Sequence, residues 1–312
     1  MVGLKPLGNT GENIPEIGIG TWHMGIGPIE GVKAIKTAID NGMWFIDTAE
    51  MYATEHIVGT AINGRKVFLA TKVSPNHFRH DGVLAACDNS LKNLNVKQID
   101  LYQLHWPNRS IQIKETMAAM EELVDSGRIR YIGVSNFTIE ELVEAQNAMT
   151  KHQIVSNQVE YSILTRNIEN GLLDFCTDNN ITIIAYSPFG NGALYSSRYR
   201  KTYDMLKHIG GRHSKTATQV ALNWLISKRN VVAIPKSASK EHVLENGGSS
   251  GWKLTKSELN EINAINERKG PLGGFIYPIL KRTGIWANAM QSFNEKRNKP
   301  YKKDSNTTSS KK

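Results

Sequence analysis

Residues 43–52 read MWFIDTAEMY, an apolar run followed by Asp47 and then by Tyr52. Two further mostly apolar runs are also followed closely by a residue that can exchange a proton. Residues 67–70 come before Lys72, and residues 101–104 come before His105. Runs of this length and composition predict buried β-strands. In a closed parallel barrel the carboxyl ends of successive strands meet at one rim. We therefore expect four proton-handling side chains in one cleft.

Apolar runs alternate with helix-like patterns along most of the chain. The predicted strands are 18–21, 44–46, 67–70, 99–104, 131–134, 154–158, 181–185 and 231–234. The predicted helices are 29–41, 55–63, 81–94, 112–126, 138–149, 168–179, 216–228, 239–246 and 255–267. The strands are almost entirely apolar, which is typical of a parallel sheet covered by helices. The pattern predicts an α/β fold, a (β/α)8 TIM barrel with an N-terminal hairpin over 4–17 and a C-terminal extension.

The chain is long enough for one large core, with 312 residues of which 40% are hydrophobic. We expect a barrel domain over 1–293 and a basic, disordered tail over 294–312. From residue 295 onward there are seven Lys or Arg and two acidic residues, so this stretch supplies +5 of the net charge of +9. It lacks interleaved aromatic residues beyond Tyr301, and no nucleic-acid-binding motif accompanies it. We therefore expect neither a nucleic-acid nor a membrane partner.

The two cysteines, Cys87 and Cys176, provide no disulfide framework, which favours a reducing compartment. No apolar stretch approaches the roughly 18 residues of a membrane span, and the first residues lack the pattern of a secretory signal. These features predict a cytoplasmic protein. His77 and His80 have a spacing seen in metal sites, but no further ligand cluster accompanies them, so we expect no metal.

The residue types of the predicted cleft suggest carbonyl chemistry. A free tyrosine has a pKa of about 10 and is a poor acid near neutrality. A cation within about 4 to 6 Å lowers the pKa of a phenol, and Lys72 would supply that cation while Asp47 holds it. His105 would orient a substrate carbonyl oxygen, and Tyr52 would protonate it. Reduction also needs a hydride, which no side chain supplies, so a cofactor is implied.

Eight short motifs extend this pattern along the chain. They are GIGTW at 18–22, DTAEMY at 47–52, ATKV at 70–73, LHWP at 104–107, GVSNF at 133–137, NQVEY at 157–161, AYSP at 185–188 and IPKS at 234–237. In this order they resemble the aldo-keto reductases, over residues 4–268. The resemblance implies an NAD(P)H-dependent reductase of small carbonyl compounds, with Asp47, Tyr52, Lys72 and His105 as catalytic residues. Substrate identity and oligomeric state stay open.

The resemblance also implies a nicotinamide site at the barrel rim, since no G-x-G-x-x-G motif follows a strand in this chain. It assigns the carboxamide of the cofactor to Ser135, Asn136 and Gln158. It assigns the flat face of the nicotinamide to the ring of Tyr186, which offers a planar π surface.

For the rest of the cofactor the matching residues are Ser187, Phe189 and Gly190 along the pyrophosphate, Lys236 and Ser237 at a 2′-phosphate, and Glu245 and Asn246 at the adenine. The chain departs from the family at His242, where an arginine is usual. A histidine is mostly neutral at pH 7 and lacks the bidentate fork of arginine. We still expect NADP(H), with NAD(H) possible, because Lys236 and Ser237 precede a predicted helix whose N-terminal N–H groups favour anions.

Two tryptophans, Trp22 and Trp106, lie in the rim motifs and are expected to line the substrate pocket. One alternative is an NADP-binding, redox-sensing regulatory module that resembles the β-subunits of some potassium channels, because a fold does not settle a function. Another is an unrelated barrel hydrolase that uses Asp47 and His105, although no nucleophile accompanies them.

Overall fold

The structure, a computed structural model, describes residues 2–24 and 27–265. Its strands are β1 (Leu4–Pro6), β2 (Asn13–Pro15), β3 (Ile19–Gly20), β4 (Phe45–Asp47), β5 (Phe68–Val73), β6 (Ile99–Leu104), β7 (Ile129–Ser135), β8 (Ile154–Glu160), β9 (Thr182–Tyr186) and β10 (Val231–Ala233). Its α-helices are α1 (Pro28–Asp40), α2 (Glu55–Ile62), α3 (His80–Leu94), α4 (Ile113–Asp125), α5 (Ile139–Asn147), α6 (Leu172–Asp178), α7 (Arg200–Arg212), α8 (Ala217–Ile226), α9 (Lys240–Gly247) and α10 (Lys256–Asn263). The expected extension over 275–293 and the tail over 294–312 lie outside the described residues.

Strands β3 to β10 form one parallel sheet in chain order, with helices between them. Parallel bridges join Ile17 to Ala233 and Gly20 to Lys236, so the first and last strands meet and the sheet closes. The amide of Gly18 donates to the carbonyl oxygen of Ala233 at 2.9 Å across this seam. The prediction of a (β/α)8 barrel is confirmed. None of the helices in the described ranges is long and apolar enough to cross a membrane.

The antiparallel hairpin of β1 and β2 caps one end of the barrel, and it too was predicted. Its Leu7 and Ile14 are fully buried in a cluster with Phe45, Phe68 and other inward-facing residues of the barrel strands. Phe45 and Phe68 pack edge to face at 5.8 Å, an arrangement that aromatic pairs prefer. Because the hairpin closes the barrel at the amino ends of the strands, an open cleft can form only at their carboxyl ends.

The interior changes from apolar to polar toward the carboxyl ends of the strands. Asp47 and Lys72 lie there with Gln103 and Gln158, and all four side chains are buried. Gly133 on β7 makes room for this layer, because a Cβ at that position would lie 2.5 Å from Ser156 Oγ and 2.9 Å from Gln103 Cγ. This polar layer is the floor of the cleft described below.

Helix α7 was missed from the sequence. Its buried stripe is narrow, and its last turn carries the pair Gly210-Gly211, a dipeptide that usually indicates a turn. The structure explains the first glycine, because a Cβ on Gly210 would collide with the carbonyl oxygen of Lys215. The glycine therefore allows the chain to turn closely into α8 rather than ending the helix early.

Glu258 joins the start of α10 to the end of α7. Its carboxylate closes a capping box with Thr255 and accepts hydrogen bonds from Arg212 Nε at 3.0 Å and from His213 Nε2 at 2.9 Å. Burial works against ionisation of Glu258, but the hydrogen bonds from Thr255, His213 and Arg212 lower its pKa to about 2. The folded pKa is thus below the unfolded value, so this stabilisation is complete above about pH 5 and is lost as the pH falls toward 2.

We expect Glu258→Gln to lower the free energy of unfolding by about 1–3 kcal/mol at pH 7, because hydrogen bonds to a charged group are lost. The difference from the wild type should narrow between about pH 5 and pH 2. Urea titrations at several pH values measure both quantities. Glu261→Gln is the matched control, since Glu261 lies 3.6 Å from Arg212 and is partly exposed. A difference for Glu258→Gln that is constant over this pH range would contradict the assignment.

Candidate active site

A cleft of about 710 Å³ opens at the carboxyl ends of the barrel strands, and we call it the rim cleft. This volume is typical of a site for a small molecule or cofactor. The residues predicted for catalysis and for the substrate pocket line it with one exception, and these are Trp22, Asp47, Tyr52, His105 and Trp106. The exception is Lys72, which belongs to the polar floor of the cleft but is fully buried.

Lys72 is held by the last residue of β4 and by the residue after it. Its Nζ donates to Asp47 Oδ1 at 2.6 Å and to the carbonyl oxygen of Thr48 at 2.8 Å. The same nitrogen lies 4.9 Å from the centre of the Tyr52 ring. Burial lowers the pKa of Lys72 from its ordinary value, while the Asp47 carboxylate opposes that shift. The cation therefore lies against the phenol ring and away from solvent.

Tyr52 sits on a short 3₁₀ helix, Glu50–Tyr52, which ends at Ala53 in the left-handed conformation (φ 53°). Its hydroxyl oxygen lies 3.4 Å from His105 Nε2, and the two rings meet edge to face at 5.4 Å. His105 follows β6 directly and stacks on Trp106 with ring centres 3.9 Å apart. Phenol and imidazole thus converge on one point of the rim cleft, where a carbonyl oxygen could accept hydrogen bonds from both.

Glu50 was not singled out from the sequence, although it belongs to the DTAEMY motif. Its Oε2 accepts a hydrogen bond from the amide of Ser74 at 2.9 Å, and its Oε1 lies 2.7 Å from Nδ1 of His77. The 3₁₀ helix that carries Tyr52 is thereby tied to the loop after β5, the strand that carries Lys72.

The side-chain amide of Asn136, which lines the rim cleft, is oriented by its own hydrogen bonds. Asn136 has a left-handed backbone (φ 63°), which asparagine tolerates better than most residues. Its Nδ2 donates to the carbonyl oxygen of His105 at 3.2 Å and to Ser135 Oγ at 2.9 Å. Its Oδ1 accepts from the hydroxyl of Tyr186 at 2.8 Å. Tyr186 therefore sets the orientation of the Asn136 amide, and its ring borders the same cleft.

Gln158 on β8 connects this amide group to the ion pair. Its Nε2 donates to Asp47 Oδ2 at 2.8 Å, while Lys72 occupies the other oxygen of the same carboxylate. Its backbone carbonyl oxygen accepts from Ser135 Oγ at 2.9 Å. Gln103, which sequence reasoning also missed, donates to Asp47 Oδ2 at 3.3 Å. The available signal was a polar residue inside the apolar run 101–104.

The positions that were predicted for the cofactor fall into two groups. Those that line the rim cleft are Ser135, Asn136, Gln158, Tyr186, Ser187, Phe189, Lys236, His242, Glu245 and Asn246. Gly190 and Ser237 do not line it. Gly190 (φ 60°) closes a turn through its amide onto Ser187, and Ser237 Oγ bonds the backbone of Ser239 ahead of α9. Both shape the chain beside the cleft, and the cofactor contacts of all these positions stay predictions.

An aromatic row extends the cleft beyond Phe189. The ring centres of Phe189 and Tyr195 are 6.0 Å apart, and those of Tyr195 and Tyr203 are 5.9 Å apart. The hydroxyl of Tyr195 lies 3.2 Å from Thr218 Oγ1 on α8. The cleft is therefore elongated, from Trp22 and Trp106 at one side to these rings and α9 at the other. Within residues 2–24 and 27–265, no group of three or more His, Cys, Asp or Glu side chains could hold a metal ion.

Comparison with known proteins agrees with this geometry. The sequence profile of the Aldo/keto reductase family matches residues 16–267, and the chain belongs to that family. It is accordingly an oxidoreductase of the carbonyl-reducing class.

Two relatives with assigned activities are similar over most of their lengths. The methylglyoxal reductase YeaE of Escherichia coli (strain K12) is 38% identical over 255 residues, which are 79% of this chain and 89% of the relative. The glyoxal reductase of Bacillus subtilis (strain 168) is 34% identical over 271 residues, which are 84% of this chain and 94% of the relative. These relatives favour a reductase over the regulatory-module alternative.

A solved structure of an aldo-keto reductase from Klebsiella pneumoniae in complex with NADPH is also similar. It superimposes with a TM-score of 0.80 and 35% identity, covering 86% of this chain and 97% of that one. The barrel is therefore shared over nearly the whole of that enzyme.

The energetics of the buried ion pair can be tested directly. Lys72→Met leaves the Asp47 carboxylate without its cation, and removal of one partner of a buried pair costs about 3–5 kcal/mol. We expect Lys72→Met to lower the free energy of unfolding by this amount in urea titrations. The double variant Lys72→Met/Asp47→Asn should recover part of the loss, because it buries no charge.

Lys151→Met is the matched control, since the exposed Lys151 pairs with the partly exposed Asp125 and should contribute little. If single and double variants lost the same stability, the two groups would not depend on each other.

Proposed function

We propose that this protein reduces aldehyde and ketone carbonyls to alcohols with NADPH, that Tyr52 is the proton donor, and that small 2-oxoaldehydes are good substrates. The observation that carries the proposal is the meeting of Tyr52 and His105 at 3.4 Å in the rim cleft, above the Lys72–Asp47 ion pair. A phenol beside an ammonium and an imidazole is a proton-donor set suited to a developing alkoxide.

The roles of the four residues follow from their positions. His105 and Tyr52 hold the carbonyl oxygen of the substrate and stabilise negative charge as it develops there. Tyr52 then transfers its hydroxyl proton to that oxygen. Lys72 favours the phenolate that remains, because its ammonium lies 4.9 Å from the ring centre. Asp47 keeps Lys72 in place through a 2.6 Å hydrogen bond.

The side chains of the rim cleft fit a nicotinamide dinucleotide. Such a cofactor, when bound, supplies the hydride that protein groups lack. Ser135, Asn136 and Gln158 offer hydroxyl and amide groups suited to its carboxamide, and Tyr186 offers a flat ring beside them. The solved Klebsiella enzyme in complex with NADPH, which shares this barrel, supports the same class of cofactor.

The far end of the cleft suits an anionic group such as a 2′-phosphate. Lys236 and His242 line it near the start of α9, a helix end that favours anions, where Ser239 accepts a hydrogen bond from the amide of His242. Ser237 is adjacent but directs its hydroxyl to Ser239. We infer that Lys236 and His242 carry the preference for NADP(H) over NAD(H).

The substrate side of the cleft is lined by aromatic residues. Trp22 and Trp106 form walls, and Met51 packs with Trp106 and Tyr52. A small carbonyl compound fits such walls better than a long polar chain. The relatives named as methylglyoxal and glyoxal reductases support 2-oxoaldehydes as the substrate class.

A reducing, cytoplasmic location is part of the proposal. Cys87 and Cys176 are both free and buried, and burial raises the pKa of each thiol to about 12. Such thiols are unreactive and consistent with a protein that uses no disulfides.

The direct test of activity is methylglyoxal reduction with NADPH, followed by the loss of reduced-cofactor absorbance. Tyr52→Phe should lower kcat/KM by about 10²- to 10⁴-fold, because a general acid contributes that much, while the Kd for NADP⁺ stays near the wild-type value. Tyr131→Phe is the control, since Tyr131 stacks on Phe68 within the barrel wall and does not line the rim cleft. Full activity of Tyr52→Phe would rule out this proton donor.

The cofactor preference is tested by comparing kcat/KM for NADPH and NADH. We expect NADPH to be preferred and His242→Arg to increase that preference, because a guanidinium is always charged and binds phosphate through two hydrogen bonds. His208→Arg on α7, outside the rim cleft, controls for the added charge. Equal use of both cofactors by the wild type would refute the assignment of Lys236 and His242.

A further inference from the structure

Three side chains from alternate strands meet inside the barrel at the floor of the rim cleft. They are Asp47 on β4, Gln103 on β6 and Gln158 on β8, and each is at most 2% exposed. Gln103 does not line the cleft, so it can act there only through its neighbours. Its backbone pairs with Lys72 on one side and with Gly133 on the other.

The hydrogen bonds among these three residues fix which way each amide faces. A carboxylate only accepts hydrogen bonds, so an amide that contacts it must present its NH₂ group. Asp47 Oδ2 receives Nε2 of Gln158 at 2.8 Å and Nε2 of Gln103 at 3.3 Å. Gln158 Nε2 also donates to Gln103 Oε1 at 3.3 Å.

These contacts leave Gln158 with one orientation toward the cleft. An amide NH₂ has two N–H groups, and Asp47 and Gln103 engage both in Gln158. The carbonyl oxygen is therefore the group that Gln158 can offer to a ligand. With Asp47 alone, the second N–H would be free to turn toward the cleft.

The space for Gln103 is built into the neighbouring strand. Gly133 lies beside it, and a Cβ there would come within 2.9 Å of Gln103 Cγ. A glycine inside a strand often marks a close approach by neighbouring groups, and here those groups are the Ser156 hydroxyl, at 2.5 Å from the same Cβ position, and the Gln103 side chain.

We propose that Gln103 is a positioning residue that makes Gln158 a hydrogen-bond acceptor toward the NH₂ of the cofactor carboxamide. This inference rests on the proposed function, because it assumes that a nicotinamide binds beside Gln158. Gln103 itself does not touch the cofactor. It occupies the second N–H of Gln158, so that a carboxamide is recognised through its N–H and a group without N–H is not.

The test compares the binding of two cofactors to the purified protein by calorimetry. One is NADP⁺, and the other is its 3-acetylpyridine analogue, in which a methyl replaces the carboxamide NH₂. The wild type should bind NADP⁺ more tightly by up to about tenfold, the value of one hydrogen bond. Gln103→Leu, which keeps the side-chain volume but removes both polar atoms, should reduce that ratio toward one.

Gln103→Met provides a second variant if Gln103→Leu folds poorly, and it should give the same reduced ratio. Gln146→Leu on α5 is the matched control. Its amide donates to the carbonyl oxygen of His152 and accepts from the amide of Ile154. Its loss should therefore leave the ratio of the two cofactor dissociation constants at the wild-type value. A change in stability alone would alter both dissociation constants together and leave their ratio unchanged.

The outcomes separate this inference from the function on which it rests. If the wild type discriminates between the two cofactors and Gln103→Leu discriminates equally well, the role of Gln103 is refuted while the reductase proposal stands. If the wild type binds neither cofactor, both proposals are refuted.

Discussion

The site depends on one buried carboxylate whose two oxygens serve different groups. Asp47 Oδ1 holds the ammonium of Lys72, and Asp47 Oδ2 accepts from Gln158. A buried charge is tolerated only when it is paired and hydrogen-bonded, so Asp47 constrains every side chain that satisfies it. The proton-donor side and the proposed cofactor side of the rim cleft are thereby anchored to the same residue, at the end of β4.

The barrel and the four proposed catalytic residues could be predicted because each apolar run indicates a buried strand and its end also indicates the position of the rim. The run before Asp47 is apolar because sheet and helices bury both of its faces, and this run also locates the rim where Asp47 emerges. Lys72, near the end of β5, and His105, directly after β6, are located by the same logic. Their meeting required only that successive parallel strands end together.

What the sequence did not predict depends on contacts between distant residues. Gln103 looks like an interruption of an apolar strand until Asp47 and Gln158 are placed beside it. Helix α7 looks like a turn at Gly210 until the close approach of Lys215 is known. Ser237 was assigned to a phosphate, but its hydroxyl also completes a local turn, which no motif spacing reveals.

The most direct test of this shared anchor is Asp47→Asn, followed by methylglyoxal kinetics and NADP⁺ binding in the same preparation. Lys72 and the glutamines face different oxygens of Asp47, and an asparagine replaces one of those oxygens by an NH₂ group, so it can accept on one side only. If Asp47 anchors both sides, we expect kcat to fall and the Kd for NADP⁺ to rise in the same variant. A loss of turnover with unchanged NADP⁺ binding would contradict it.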